Sequence, residues 1–164
     1  MQIRRWSFED VSRIAELEKV CFSDPWSEEM IADCFNRPDF AGFLCEERSL
    51  NCEKSEKSEI SAGENSLKSK NALIGYAGAI YAFDEADVAL VAVAPAFRKC
   101  GFAAGLMKTL LNYLAEKGVK KVFLEVRVSN IAAQNLYKKL GFSVIGQRKN
   151  YYVTEDALVM SSDI

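Results

Sequence analysis

Residues 91–104 read VAVAPAFRKCGFAA: an apolar strand, a proline, a basic turn with one glycine, and then the first turn of a long amphipathic helix. The segment Arg98-Lys99-Cys100-Gly101-Phe102-Ala103 therefore sits where a helix begins. The first N–H groups of a helix have no intrahelical acceptor, and the aligned peptide dipoles make that end partly positive. Small residues at Gly101, Ala103 and Ala104 let an anion come close to the backbone, while Arg98 and Lys99 add formal charge. Such a junction is either a pyrophosphate cradle or an ordinary strand–turn–helix connection.

Around this junction the hydrophobic periodicity alternates between strand and helix. Residues 2–6 read as a strand, and Ser7 as the cap of a helix with Val11, Ile14, Ala15, Glu18 and Cys21 at helical spacing. Asp24-Pro25-Trp26-Ser27 breaks that helix and starts a second one, with Met30, Ile31, Cys34 and Phe35 as its stripe. Strands follow at 40–46, 72–83 and 87–94, then a helix over about 101–117 that Gly118 ends. A strand at 120–127, a helix from Asn130 to Leu140, and strands at 143–149 and 155–161 complete the chain. The order β-α-α-β-β-β-α-β-α-β-β describes a mixed α/β protein, and 164 residues suit a single domain, 1–164. Residues 46–71 interrupt this pattern with Ser, Glu, Lys and Asn, too polar to offset their ordering entropy by burial. They are expected to form a mobile insertion in a hairpin, with gating of a substrate as the functional alternative.

The chain contains no histidine, so acid–base chemistry must come from Asp, Glu, Tyr, Lys, Cys or water, and the common zinc spacings are unavailable. Five cysteines without a CxxC pair read as reduced thiols in a cytoplasmic protein. A net charge of −2 argues against general nucleic-acid binding. No apolar run reaches membrane-spanning length, and the N-terminus lacks the apolar core of a signal peptide. GxGxxG, GxxxxGK[ST] and GxSxG are all absent, which removes support for dinucleotide binding, nucleotide hydrolysis and serine hydrolysis.

Several residues stand out for chemistry. Glu125 lies in the apolar strand Phe123-Leu124-Glu125-Val126, on the face opposite Val122, Leu124 and Val126, near the strand's C-terminal end, where open α/β sheets bind ligands. It is either a general base or a strand-edge carboxylate paired with a nearby Lys or Arg. Tyr137 follows on the next helix, as core by periodicity or as a general acid if its hydroxyl reaches a cleft. Asn130 has a sufficient role as that helix's cap. Trp26, Tyr151 and Tyr152 are core or hinge aromatics, or the lining of a peptide groove. Glu155 and Asp156 are solvated charges or a pair that receives a cationic substrate. Cys100 has no base beside it, which disfavours an acyl-cysteine route.

Arg98-x-x-Gly101-x-Ala103 at a strand-to-helix junction resembles the acetyl-coenzyme A motif of the GNAT acetyltransferases, [QR]-x-x-G-x-[GA]. The element order agrees with that family along the whole chain apart from 46–71. Three further segments are similar to members that acetylate protein N-termini: Asp24-Pro25-Trp26-Ser27-Glu28, Leu124-Glu125-Val126-Arg127 through Ser129-Asn130, and Tyr151-Tyr152 followed by Glu155-Asp156-Ala157-Leu158. The resemblance implies the GNAT fold, a mixed central sheet flanked by helices on both faces. It implies acetyl-coenzyme A as co-substrate, with no metal, and as acceptor the N-terminal alanine of a small-subunit ribosomal protein. Val91, Ala92 and Val93 would offer backbone groups to the pantetheine arm and acetyl carbonyl. Arg98, Lys99, Cys100, Gly101, Phe102, Ala103 and Ala104 would hold the pyrophosphate. Asn130 would contact the coenzyme, Glu125 act as general base and Tyr137 as general acid, with Trp26, Tyr151, Tyr152 and Glu155 toward the peptide. Ala103 stands where the family often has a second glycine, and Ala104 where it often has a basic residue. The alternatives are a GNAT enzyme for a small amine and a non-catalytic module that senses acetyl-coenzyme A.

Overall fold

The structure, a computed structural model, describes residues 2–47, 72–152 and 155–164. The elements are β1 (Gln2–Arg5), α1 (Val11–Cys21), α2 (Glu28–Phe35), β2 (Phe40–Glu46), β3 (Leu73–Ala82), β4 (Glu85–Val93), α3 (Phe102–Glu116), β5 (Lys121–Arg127), α4 (Ile131–Lys139), β6 (Ser143–Tyr152) and β7 (Glu155–Asp163). This is the order read from the sequence. The strands form one seven-stranded sheet, β1-β2-β3-β4-β5-β7-β6. Every neighbouring pair is antiparallel except β4 and β5, which run parallel on either side of the α3 crossover. No helix among the described residues is long and apolar enough to cross a membrane.

Each face of the sheet carries its own core. Against one face α3 lays Leu106, Met107, Leu110 and Leu114, all fully buried, and α4 adds Tyr137. Burying each of those four aliphatic side chains contributes about 1.5–3 kcal/mol. Against the other face α1 and α2 pack Ile14, Ala15 and Ile31 on Leu44, Tyr76, Leu90 and Ala92. Helix starts follow local chemistry: Ser27 Oγ accepts the Met30 N–H at 3.3 Å, and Asn130 Oδ1 accepts the Ala133 N–H at 3.1 Å.

One register shift decides where the sheet opens. Gly78 pairs with Leu90 but Ala79 pairs with Val88, so Ala89 is an extra residue on β4. The bulge inverts the side-chain alternation. Ala86 and Val88 point into the α3 core, whereas Leu90 and Ala92, also even-numbered, point into the α1–α2 core. At the same place the parallel ladder stops. β4 and β5 are paired only through Glu85–Val88 and Lys121–Leu124, and beyond that the strands part.

The expected insertion at 46–71 needs a correction at its start. Glu46 belongs to β2 with its side chain only 9% exposed, and the Glu47 N–H still donates to the Ala72 C=O at 3.0 Å. Glu46 stays in the sheet because Arg4 and Arg13 neutralise it, at 3.1 and 2.7 Å. Residues 48–71, and with them the rest of that expectation, lie outside the described residues.

Candidate active site

The gap between β4 and β5 is lined by unpaired backbone. Ala94 N–H donates to Ile74 C=O at 2.8 Å, so by antiparallel alternation Ala92 turns its backbone groups to β3 while Val91 and Val93 turn theirs into the gap. The Val93 carbonyl there accepts Arg98 Nε at 3.1 Å and lies 3.7 Å from Cys21 Sγ. Ala92 instead buries its side chain in the α1–α2 core.

Just past Val93 the chain makes a 3-10 turn, Pro95–Phe97, and enters α3. Lys99 and Gly101 both have left-handed backbones, φ 63° and 84°. The first backbone bond of the helix is Gly105 N–H to Gly101 C=O, at 3.1 Å. The N–H groups of residues 99–104 therefore have no acceptor among the described residues. A Cβ placed on Gly101 would meet nothing within 4 Å, so the space beside this turn is open. Phe97 and Phe102 brace the turn edge-to-face, 6.0 Å apart. The cradle is thus a row of convergent, unpaired donors with Arg98, Lys99 and Cys100 exposed around it.

Glu125 is the first residue of β5 beyond its last pair with β4, at the apex of the gap. Its strand neighbours Val122, Leu124 and Val126 are buried on the α3 side and Glu125 points the other way, 17% exposed. Its carboxylate pairs with Arg148 Nη1 at 3.2 Å. Tyr152 reaches the Glu125 carbonyl with its hydroxyl at 3.5 Å and carries the Arg127 guanidinium 3.9 Å over its ring. Tyr151 packs edge-to-face on Tyr152 at 5.1 Å and is half exposed. Tyr137 approaches from α4, with its ring buried and its hydroxyl without a hydrogen-bond partner among the described residues. Burial, reinforced by the facing Tyr152, pushes that hydroxyl well above the ordinary phenol range, so it keeps its proton.

A model of the acetyltransferase (GNAT) family matches residues 11–142. The chain belongs to the GNAT family of acetyltransferases. Among curated relatives, a ribosomal protein bS18 alanine N-acetyltransferase of Haemophilus ducreyi is 32% identical over 90% of this chain and 86% of its own. The enzyme of the same name from Haemophilus influenzae is 41% identical over 58% of this chain and 68% of its own. Among solved structures, the ribosomal-protein-S18-alanine N-acetyltransferase of Escherichia coli superposes with a TM-score of 0.81. It is 26% identical and covers 99% of this chain and 93% of that one.

Not every predicted site residue of this GNAT chain stands free. Glu155 is engaged on both oxygens by Ser129, N–H at 2.9 Å and Oγ at 3.0 Å, with Arg127 at 3.7 Å. It clamps the β5–α4 loop. Asp156 likewise accepts the Asn150 N–H at 2.8 Å and Gln147 Nε2 at 2.7 Å. Asn130 Oδ1 caps α4, and the residue is exposed. Trp26 belongs to the α1–α2 side, where its N–H donates to the buried Glu18 at 3.1 Å. No hydrogen bond or ring contact joins it to Tyr151 or Tyr152 among the described residues.

The roles of three residues escaped the reading of the sequence. Glu18 falls in register with the apolar residues of α1, is 2% exposed, and takes the Tyr76 hydroxyl as well as the Trp26 backbone N–H. Burial raises its pKa, and those two donors offset only part of the rise. Gln134, buried on α4, donates to the carbonyls of Arg127 and Val128 at 3.2 and 2.9 Å, fastening the helix to the end of β5. Its place four residues after the cap Asn130, on the core side of the helix, was the available signal. Arg148 gave none, because its partner is two strands away.

Proposed function

We propose that this GNAT chain transfers the acetyl group of acetyl-coenzyme A to the N-terminal α-amine of a protein, the acceptor being the N-terminal alanine of ribosomal protein bS18. The observation that carries the reading is the position of Glu125 at the apex of a gap into which Val91 and Val93 of the other wall turn their N–H groups. The acceptor's identity draws its support from the relatives that act on bS18.

The open, donor-lined cradle fits a pyrophosphate: the N–H groups of residues 99–104 would bind it, with Arg98 and Lys99 supplying charge. When bound, the coenzyme supplies an acetyl thioester whose carbonyl carbon the amine attacks. An α-ammonium has a pKa of about 7.7–8.0, so Glu125, directly or through a water, need remove a proton only slightly held at neutral pH. The N–H groups of Val91 and Val93 would stabilise charge developing on the carbonyl oxygen. As the C–N bond forms and the C–S bond breaks, Tyr137 would give its proton to the departing sulfur. A buried ring whose hydroxyl has no hydrogen-bond partner among the described residues supports that role. Tyr151 and Tyr152 would flank the arriving peptide, with Trp26 on the α1–α2 side.

The test is mass spectrometry of peptides beginning with alanine and carrying one internal lysine, incubated with acetyl-coenzyme A. Expected is acetylation of the α-amine, reduced by about 10²-fold or more in Glu125→Gln. Acetylation confined to lysine, or to small amines such as polyamines, refutes the acceptor; full activity of Glu125→Gln refutes the base.

A further inference from the structure

Arg148 Nη1 sits against Oε1 of Glu125, where it competes for that oxygen with any other cation. Glu125, Val159 of β7 and Gly146 of β6 lie in one row across the sheet. Gly146 contributes no side chain, and a Cβ there would touch nothing, so Arg148, two residues further along β6, reaches over β7 without obstruction. Its guanidinium meets the Glu125 carboxylate at 3.2 Å and lies 5.5 Å from the Tyr151 ring centre. The carboxylate is 17% exposed but the arginine is 58% exposed. The anion is therefore fixed in the gap while its cation stands in water. The β6 backbone favours this placement. Residues 149–151 bulge against the single Asp156, which anchors the left-handed Asn150 (φ 52°) through its N–H.

We propose that Arg148 is a specificity-determining latch: it holds Glu125 as an ion pair in the free enzyme, and only an acceptor that brings its own cation displaces it. This rests on the reading of Glu125 as the group that meets the acceptor amine. An arginine cannot lose its proton at working pH, so it must swing aside. Because it is exposed, the swing costs little: exposed pairs contribute about 0–1 kcal/mol, at most about fivefold in an equilibrium constant. The α-ammonium replaces the guanidinium charge for charge, so Glu125 is never left uncompensated. A neutral or acetylated N-terminus cannot make that exchange and would strand the carboxylate.

The experiment is calorimetric binding, to the enzyme saturated with coenzyme A, of a short peptide beginning with alanine and of the same peptide with its N-terminus acetylated. Arg148→Gln is expected to tighten the free-amine peptide up to about fivefold at about 0.01 M salt, with the gain shrinking toward nothing near 1 M. It should leave the acetylated peptide within twofold of the parent. Arg148→Lys, which keeps the charge, should show less than half of the gain. In a Glu125→Gln background, Arg148→Gln should change nothing. Weaker or unchanged binding of the free-amine peptide by Arg148→Gln, equal gains for both peptides, or a gain that survives in Glu125→Gln would each overturn the latch. Whether Glu125 is the base is decided separately, by turnover of Glu125→Gln alone.

Discussion

Replacing Asp10 by asparagine keeps the shape of the side chain and removes one charge from its network with Arg4, Arg13 and Glu46. Asp10 accepts Arg4 Nη1 at 2.7 Å, Arg4 Nη2 at 2.8 Å and Arg13 Nη1 at 3.1 Å, plus the Ser7 N–H and hydroxyl at 2.8 and 2.9 Å. The same two arginines also hold Glu46. In Asp10→Asn the summed charge of these four side chains rises by one, and both guanidiniums lose a carboxylate partner. Its side chain is only 3% exposed, so the weak surface-pair regime does not apply. Breaking a buried pair costs about 3–5 kcal/mol, and the partial exposure of Arg4 puts the expected loss near ~3 kcal/mol. At about 2–4 °C per kcal/mol for a chain of this size, Tm should fall by roughly 6–12 °C. Burial opposes ionisation of Asp10 and Glu46, but the arginines, with Ser7 at Asp10, outweigh it and hold both carboxyls below the usual carboxylate range. Such groups stabilise the fold above their unfolded pKa values of about 4 and lose that contribution as pH falls through the lower folded values. The parent should therefore lose Tm on acidification below that pH, and its advantage over Asp10→Asn should narrow. Melting curves followed by circular dichroism from neutral pH down to about pH 3 measure both effects. A Tm loss under about 3 °C at neutral pH, or a gap that does not narrow in acid, would refute the reasoning.

Three further outcomes are expected. Tyr137→Phe should leave Tm unchanged or slightly raised, because the hydroxyl it removes has no partner among the described residues, while turnover falls about 10²-fold; a Tm drop of several degrees would mark the hydroxyl as structural. Gly101→Ala should cost about 1–2 kcal/mol from its left-handed backbone alone, and should also weaken coenzyme A in direct binding, since the methyl enters the open face of the cradle. Glu18→Gln should gain stability relative to the parent as pH rises above the carboxylate range, because a folded pKa raised by burial means stability that is present in acid and lost with increasing pH; urea melts in which the variant gains nothing between acid and neutral pH would contradict this.

Most of the fold was legible because its elements are locally encoded. Asn130 caps the helix it was expected to cap, Gly118 and Gly141 follow helix ends with positive φ, and the Val122–Val126 alternation shows which way Glu125 points. The bulge at Ala89 was not legible: an apolar strand with apolar residues on both faces looks the same with or without one extra residue. Glu125 was noticed because a carboxylate in an apolar strand is conspicuous, but its Arg148 partner was not, since β6 reaches it only by pairing with β7. Glu155 shows the opposite difficulty. A charge beside a turn reads equally well as a ligand group or a clamp, and only the position of Ser129, 26 residues earlier, separates the two.

The short ladder between β4 and β5 also has a mechanical meaning. Four residue pairs, with the Lys120 and Lys121 N–H groups donating to the Asp84 C=O at 2.7 and 3.0 Å, join a sheet half made of β1–β4 to another made of β5–β7 among the described residues. Bending along that short seam would change the width of the gap without breaking any other strand pairing. The α3 and α4 side chains packed across one face act as the spring that restores it. Amide exchange of Val88 and Leu124 should then report that bending directly, becoming slower when a ligand fills the gap, while exchange in the middle of β2 and β3 stays the same.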